Sequence, residues 1–342
     1  MLTIADLPYW FLATTAVAVG LVFGSFLNVV IHRLPRGESV AFPGSRCPAC
    51  GAPIRAYDNV PVLSWLVLRG HARCCHVRIS PRYPLVELIG GLLAWAILQV
   101  VVLRDPFATP LWLGGARFAI YLALGLGLVA AAFIDLEHMI LPDEITLGGA
   151  VLGLLSAPLR DDVSLVASAP GVELLGARLG SVGAAWCDAA FGAFVGFFMI
   201  WLPFDRLYRV IRGRTGMAVG DAKLAMLAGA WFGWPGAVFA LLAGAVQGTA
   251  VTATVLLVRG RIDEPEAVKQ EREELRAAIE EAEGEERERL EAERAADPLA
   301  DEPDDGVLQA RLPFGPFLVL AVVEYMLFGP ELVGYYLEWM LL

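Results

Sequence analysis

Apolar residues run through this chain in blocks long enough to cross a bilayer. They fall at about 8–31, 84–103, 113–134, 141–158, 184–204, 220–232, 236–258 and 314–340. A hydrocarbon core roughly 30 Å thick takes about 20 helical residues. The pattern therefore predicts an all-α polytopic membrane protein with about eight spans. The sixth is the shortest and follows the glycine-containing run from Gly213 to Gly220. The polar stretches suggest a division into a first span (1–31), a small domain (32–82), a core of spans (83–261), an insert (262–312) and a last span (313–342).

Arginine gives this pattern an orientation. The loop after the first span carries Arg33, Arg36, Arg46, Arg55, Arg69, Arg73, Arg78 and Arg82. The loop after the fifth carries Arg206, Arg209, Arg212 and Arg214, and the seventh ends at Arg259 and Arg261. The alternate loops hold Arg104, Arg160 and Arg178. Loops rich in Lys and Arg stay in the cytoplasm, so the basic loops are expected inside and both termini outside. The first apolar run has no basic stretch before it and no small-residue cleavage site after it, so it is expected to be retained rather than removed as a signal peptide.

Composition agrees with lipid as the solvent, with 57% hydrophobic and 18% charged residues among 342. The formal charge of −11 is local rather than general. Between Asp263 and Asp305 there are 19 acidic and 6 basic residues, which leaves the rest of the chain near +2. Such a stretch reads as a solvated cytoplasmic helix with a disordered acidic end. No nucleic-acid partner is expected.

Two acidic residues interrupt the apolar pattern where they are costly to keep. Asp135 follows Ala131-Ala132-Phe133-Ile134 at the end of the third span, and Asp221 lies in Gly220-Asp221-Ala222-Lys223 at the start of the sixth. The topology drawn from arginine puts both at the cytoplasmic margin, at one depth. Two carboxylates held close share one proton. One then takes a proton from water while the other donates to a carbonyl, which is aspartic proteolysis. A plainer reading makes either carboxylate a helix cap or a headgroup contact. Gly220 would let backbone approach a substrate, and Lys223 is expected to tune Asp221 or, on the plainer reading, to contact headgroups. Asp143, after Leu141-Pro142, fits a helix cap; Glu137, His138 and Glu144 fit interfacial positions.

At these residues the chain resembles the prepilin peptidases, the type IV leader peptidases among membrane-embedded GxGD aspartic proteases. The blocks are Gly24-Ser25-Phe26-Leu27-Asn28 with Arg33-Leu34-Pro35, Asp58-Asn59-Val60-Pro61-Val62-Leu63-Ser64-Trp65, and Ile79-Ser80-Pro81-Arg82-Tyr83-Pro84. They continue with Asp135 and Leu141-Pro142-Asp143, Gly220-Asp221-Ala222-Lys223, and Pro313-Phe314-Gly315-Pro316. The resemblance implies leader removal after a Gly from type IV prepilins or type II secretion pseudopilins at a bacterial inner membrane. It also implies Asp135 and Asp221 as the catalytic pair, and methylation of the new N-terminus with S-adenosylmethionine. The family's first motif glycine is Ala218 here; proteolysis is expected to survive that change. Two readings from other classes are a carboxylate-bearing transporter and an inactive assembly scaffold. The marginal depth of the aspartates and the lack of an internal repeat count against the first, and the intact aspartates against the second.

The cysteines form the other departure. Cys47-Pro48-Ala49-Cys50 is half of a zinc knuckle. The family's second CxxC reads Ala72-Arg73-Cys74-Cys75-His76 here. Cys47, Cys50, Cys74 and Cys75 are the candidate ligands, with His71 or His76 as alternatives for the fourth place. A zinc-free domain held by packing is the other expectation. No glycine-rich fingerprint for S-adenosylmethionine is visible. Gly20 and Gly24 suggest close helix packing, Asn28 a bond to a neighbouring helix, and Cys187 an ordinary core position. Trp231, Trp234 and Trp339 suggest anchors at the outer interface.

Overall fold

The computed structural model describes residues 2–47, 49–160, 172–212, 217–260, 266–296 and 313–341. Gly213 to Gly216 and the end of the acidic insert lie outside them. The elements are helices α1 (Tyr9–Arg33), α2 (Leu63–Val67), α3 (Arg82–Ile97), α4 (Leu111–His138), α5 (Asp143–Ser156) and α6 (Val172–Ile200). They continue with α7 (Tyr208–Arg212), α8 (Val219–Arg259), α9 (Glu266–Glu281), α10 (Gly284–Ala296) and α11 (Gly315–Leu341). Extended pairing among the described residues is limited to isolated bridges.

Among the described residues, five helices are long and apolar enough to cross a membrane: Tyr9–Arg36, Arg82–Val102, Leu111–His138, Gly180–Ile211 and Val219–Arg259. The expected count of eight is not reached, for three physical reasons. The helix at the fourth expected span, α5, has only 14 residues. The sixth and seventh merge into α8, which has 41 residues and breaks at Phe232 and Gly233, just before Pro235. Gly233 has φ 66°, a left-handed conformation that glycine adopts at no steric cost. The helix at the last expected span is apolar over Gly315–Gly329. Lipid as solvent also explains the large apolar side chains left outward, such as Leu92, Leu155, Phe194, Leu242 and Leu257.

The chain divides into two units. The first comprises Met1–Ala131, Val151–Cys187 and Val323–Leu342. Here α1 and α3 pack backbone to backbone, because the GxxxG expected to pack does so. A methyl at Gly20 would lie 2.3 Å from the Gly90 carbonyl, and one at Gly24 would lie 2.9 Å from the Glu87 Cα. Asn28 Nδ2 donates to the Tyr83 carbonyl of α3 at 3.2 Å. Buried Glu87 accepts the Val62 N–H at 2.6 Å, which anchors the loop before α2 to α3.

The second unit comprises Ala132–Ala150 and Asp188–Val322. Its centre is the first arm of α8, where Ala222, Leu224, Leu227, Ala228 and Ala230 are all buried. A helix apolar all round must be surrounded, and α6 approaches it through glycines. A methyl at Gly192 would lie 2.2 Å from the Gly229 carbonyl, and one at Gly196 would lie 2.2 Å from the Ala225 carbonyl. Trp231 corrects an expectation. It is fully buried, and its indole N–H donates to the Gly149 carbonyl at 2.8 Å, so it locks α8 to α5 rather than anchoring an interface. Trp234 is 37% exposed; the Trp339 side chain lies outside the described residues. The acidic insert forms α9 and α10, and the two helices pack on each other.

Candidate active site

Asp135 sits in the last turn of α4. The helix runs past the apolar stretch to His138 instead of stopping at residue 134. It closes where Met139 takes a left-handed φ of 54° and donates its N–H to the Asp135 carbonyl at 2.9 Å. The chain then turns through Ile140, Leu141 and Pro142 into α5. Asp135 is 6% exposed.

Asp221 is the third residue of α8. The N-cap, Ala218, has no side chain that could satisfy the first turn. The Asp221 carboxylate reaches back to accept the Ala218 N–H, half of a capping box. Ala218 itself has φ −70° and ψ 150°, which any residue adopts. A glycine there is therefore not needed for the backbone to start this helix. Asp221 is 7% exposed and lies within electrostatic reach of Asp135. Both aspartates and the chain around them belong to the second unit.

Two further residues complete this cluster, and the sequence reading did not single them out for it. The Gly315 N–H, at the start of α11, donates to the Asp135 carboxylate. A methyl on Gly315 would lie 2.5 Å from Asp135 Oδ2, so the close approach requires glycine. Leu141 packs against both active-site glycines: a methyl at Gly220 would lie 3.2 Å from its Cβ, and one at Gly315 would lie 3.3 Å from its Cδ2. The sequence signal was present, since both residues lie in motifs quoted for the resemblance, but their meeting depends on tertiary packing. Lys223 was expected to tune Asp221. Its ammonium pairs with Asp143, the first residue of α5, at 2.5 Å.

The small domain of the first unit brings the cysteines together. Two short loops are each closed by a bridge, Arg46 with Pro53 and His71 with Arg78. Their tips carry Cys47 and Cys50, and Cys74 and Cys75; the four sulfurs all lie within 4.8 Å of one another. Sulfur separations are 3.3 Å for Cys50–Cys74, 3.6 Å for Cys47–Cys75 and 3.8 Å for Cys74–Cys75. Four thiolates about 2.3 Å from a tetrahedral ion stand about 3.8 Å apart, so the donor set fits a metal. Of the alternatives, His71 Nδ1 lies 2.8 Å from the Arg69 carbonyl oxygen. The backbone N–H groups of Cys50 and Ala49 hold the Cys47 thiol down to about 6. The Cys50 sulfur contact and burial push Cys74 up to about 12. A local environment that favours one thiolate suits cation binding.

Fold and site together define a class: a helical membrane protein with two buried carboxylates at the ends of apolar helices and a four-cysteine module. Residues 18–101 match the family described as Bacterial Peptidase A24 N-terminal domain, and residues 122–253 match the Type IV leader peptidase family. A prepilin leader peptidase/N-methyltransferase of Stutzerimonas stutzeri is 37% identical over 265 residues, 71% of this chain and 80% of the relative. One of Myxococcus xanthus is 38% identical over 264 residues, 76% of this chain and 69% of the relative. One of Klebsiella pneumoniae is 39% identical over 221 residues, 63% and 82%. No solved structure gives a significant match. The chain belongs to the type IV leader peptidase family and is an enzyme of the membrane.

Proposed function

We propose that this protein removes the leader of type IV prepilins or type II secretion pseudopilins, with Asp135 and Asp221 as the catalytic pair. The observation that carries the assignment is that two buried carboxylates, 86 positions apart in sequence, lie within electrostatic reach of each other. Two carboxylates in reach of each other hold one proton between them. The ionised one takes a proton from water as it attacks the carbonyl of the leader's terminal Gly. The protonated one donates to the carbonyl oxygen. Collapse breaks the C–N bond, and the products are a leader carboxylate and a new N-terminal amine. The Gly315 N–H on Asp135 and the Ala218 N–H on Asp221 orient each carboxylate for this exchange. The transporter reading has no comparable support, since relatives over most of the chain are peptidases.

Relatives also carry the name N-methyltransferase. We extend that activity to this chain as methylation of the newly exposed amine, with S-adenosylmethionine as methyl donor. Zinc is the metal that best matches the four-cysteine set. With four protein ligands it would have no open position and would act as a structural staple between the two loops. The arginine distribution supports an inner-membrane location with the aspartates facing the cytoplasm; reporter fusions at each loop check that orientation, and an extracytoplasmic signal after α4 would reverse it.

Cleavage of a prepilin with a Gly–Phe junction by membranes containing the wild type, Asp135→Asn or Asp221→Asn at equal expression tests the pair. Wild type should cut, and each variant should lose at least about 10³-fold in rate, as when one member of a catalytic unit is removed. A variant that cuts like wild type would make that aspartate structural.

A further inference from the structure

Beside the aspartate pair lies an ion pair that peptide cleavage does not itself require. Lys223 stands two residues beyond Asp221 on α8, and its ammonium lies 2.5 Å from Asp143 Oδ1 at the start of α5. The lysine side chain is 24% exposed and the aspartate 55%. Partly exposed ion pairs contribute little to stability, so the contact alone means little. Its significance lies in the segment it holds.

Between Asp135 and Asp143 the chain leaves α4, reverses and enters α5. Its backbone bonds tie each end to its own helix. Met139 N–H donates to the Asp135 carbonyl, and the Pro142 carbonyl accepts from Ile145, Thr146 and the Thr146 hydroxyl. Midway, Leu141 is wedged against Gly220, beside Asp221, and against Gly315, whose N–H meets Asp135. This one side chain therefore touches the backbone next to both carboxylates. The Asp143–Lys223 pair joins the far end of the same turn to α8, within one helical turn of Asp221.

We propose that Asp143 and Lys223 are positioning residues for the cleavage. They form a strut that holds the Leu141 turn against Gly220 and Gly315 and so keeps the two carboxylates at their working separation. This rests on the peptidase reading of Asp135 and Asp221. The strut acts through the turn and not through the charge of Lys223 on Asp221, because that charge is already met by Asp143. It also gives the Leu-Pro-Asp and Gly-Asp-Ala-Lys segments a shared mechanical role.

The test compares Asp143→Asn, Lys223→Gln and the exchange Asp143→Lys/Lys223→Asp in the full chain, with kcat and KM measured on the same prepilin. Small misplacements of reacting groups cost rate more than binding. Each single variant should lose roughly tenfold in kcat with KM within about threefold, and the exchange should recover most of the loss. A second readout does not depend on activity. With Leu141→Cys added to each background, maleimide modification of that position should rise about fivefold or more in the single variants and fall again in the exchange. Single variants with unchanged kcat and unchanged labelling overturn the strut, as does an exchange that restores neither. So does loss of cleavage in Lys223→Gln alone, which would mean that the lysine acts by its own charge. If wild type cuts no prepilin but labelling still follows the ion pair, the strut stands and the peptidase reading fails.

Discussion

At Gly315 the space for a side chain is already taken. A methyl there would lie 2.5 Å from Asp135 Oδ2 and 3.3 Å from Leu141 Cδ2. Gly315→Ala must push the Asp135 carboxylate away from the N–H that orients it. We expect a loss of roughly 10²-fold in prepilin cleavage, in line with the cost of small misplacements in an active site, with the protein still recovered folded in detergent. Activity within about threefold of wild type would show that the contact is dispensable. The contrast with Ala218 is instructive. Its backbone is extended, so the alanine fits there without strain. The aspartates themselves were legible in the sequence, because a carboxylate at the edge of an apolar run is costly and stands out. Gly315 and Leu141 were not, because what matters is which distant backbone they touch. Trp231 was misread for the same reason: its place near the end of an apolar run does not say whether lipid or α5 surrounds it.

At the scale of elements, the cysteine loops make the sharpest case. The sequence offers Cys74, His71 and His76 for the fourth position. The bridge between His71 and Arg78 closes the loop so that Cys74 and Cys75 both face Cys47 and Cys50. The purified protein is therefore expected to carry about one zinc per chain by elemental mass spectrometry. Cys74→Ser should lose most of it, and His71→Ala and His76→Ala should keep it. Retention of metal by Cys74→Ser would return the histidines to consideration. Removal of the metal by a chelator should lower the thermal stability of the small domain, since a structural ion contributes its binding free energy to folding. The helices show the opposite limit. Hydropathy located them well, but the number of crossings depends on how a break such as Phe232–Gly233 bends the chain, which apolar content does not encode.

At the scale of the whole molecule, the charge of −11 belongs to a peripheral feature. Helices α9 and α10 pair with each other and are solvated by their own charges, including Arg287 with Glu291 at 2.9 Å. Replacement of residues 266–296 by a Gly/Ser linker should leave prepilin cleavage within about threefold. A larger loss would assign the acidic helices a part in substrate handling.

Sequence alone determined that the chain is helical, that lipid is its solvent, that two carboxylates stand at helix ends, and that Cys47 and Cys50 form half of a candidate metal site. Each follows from composition and spacing, because burying charge or exposing apolar surface has a cost that local pattern records. The tertiary structure decided which groups meet: Gly315 and Leu141 at the aspartates, Lys223 with Asp143, Trp231 inside rather than at an interface, and Cys74 in the cysteine cluster. These depend on contacts between segments far apart in the chain, whose geometry is set by close packing that no single stretch of sequence specifies.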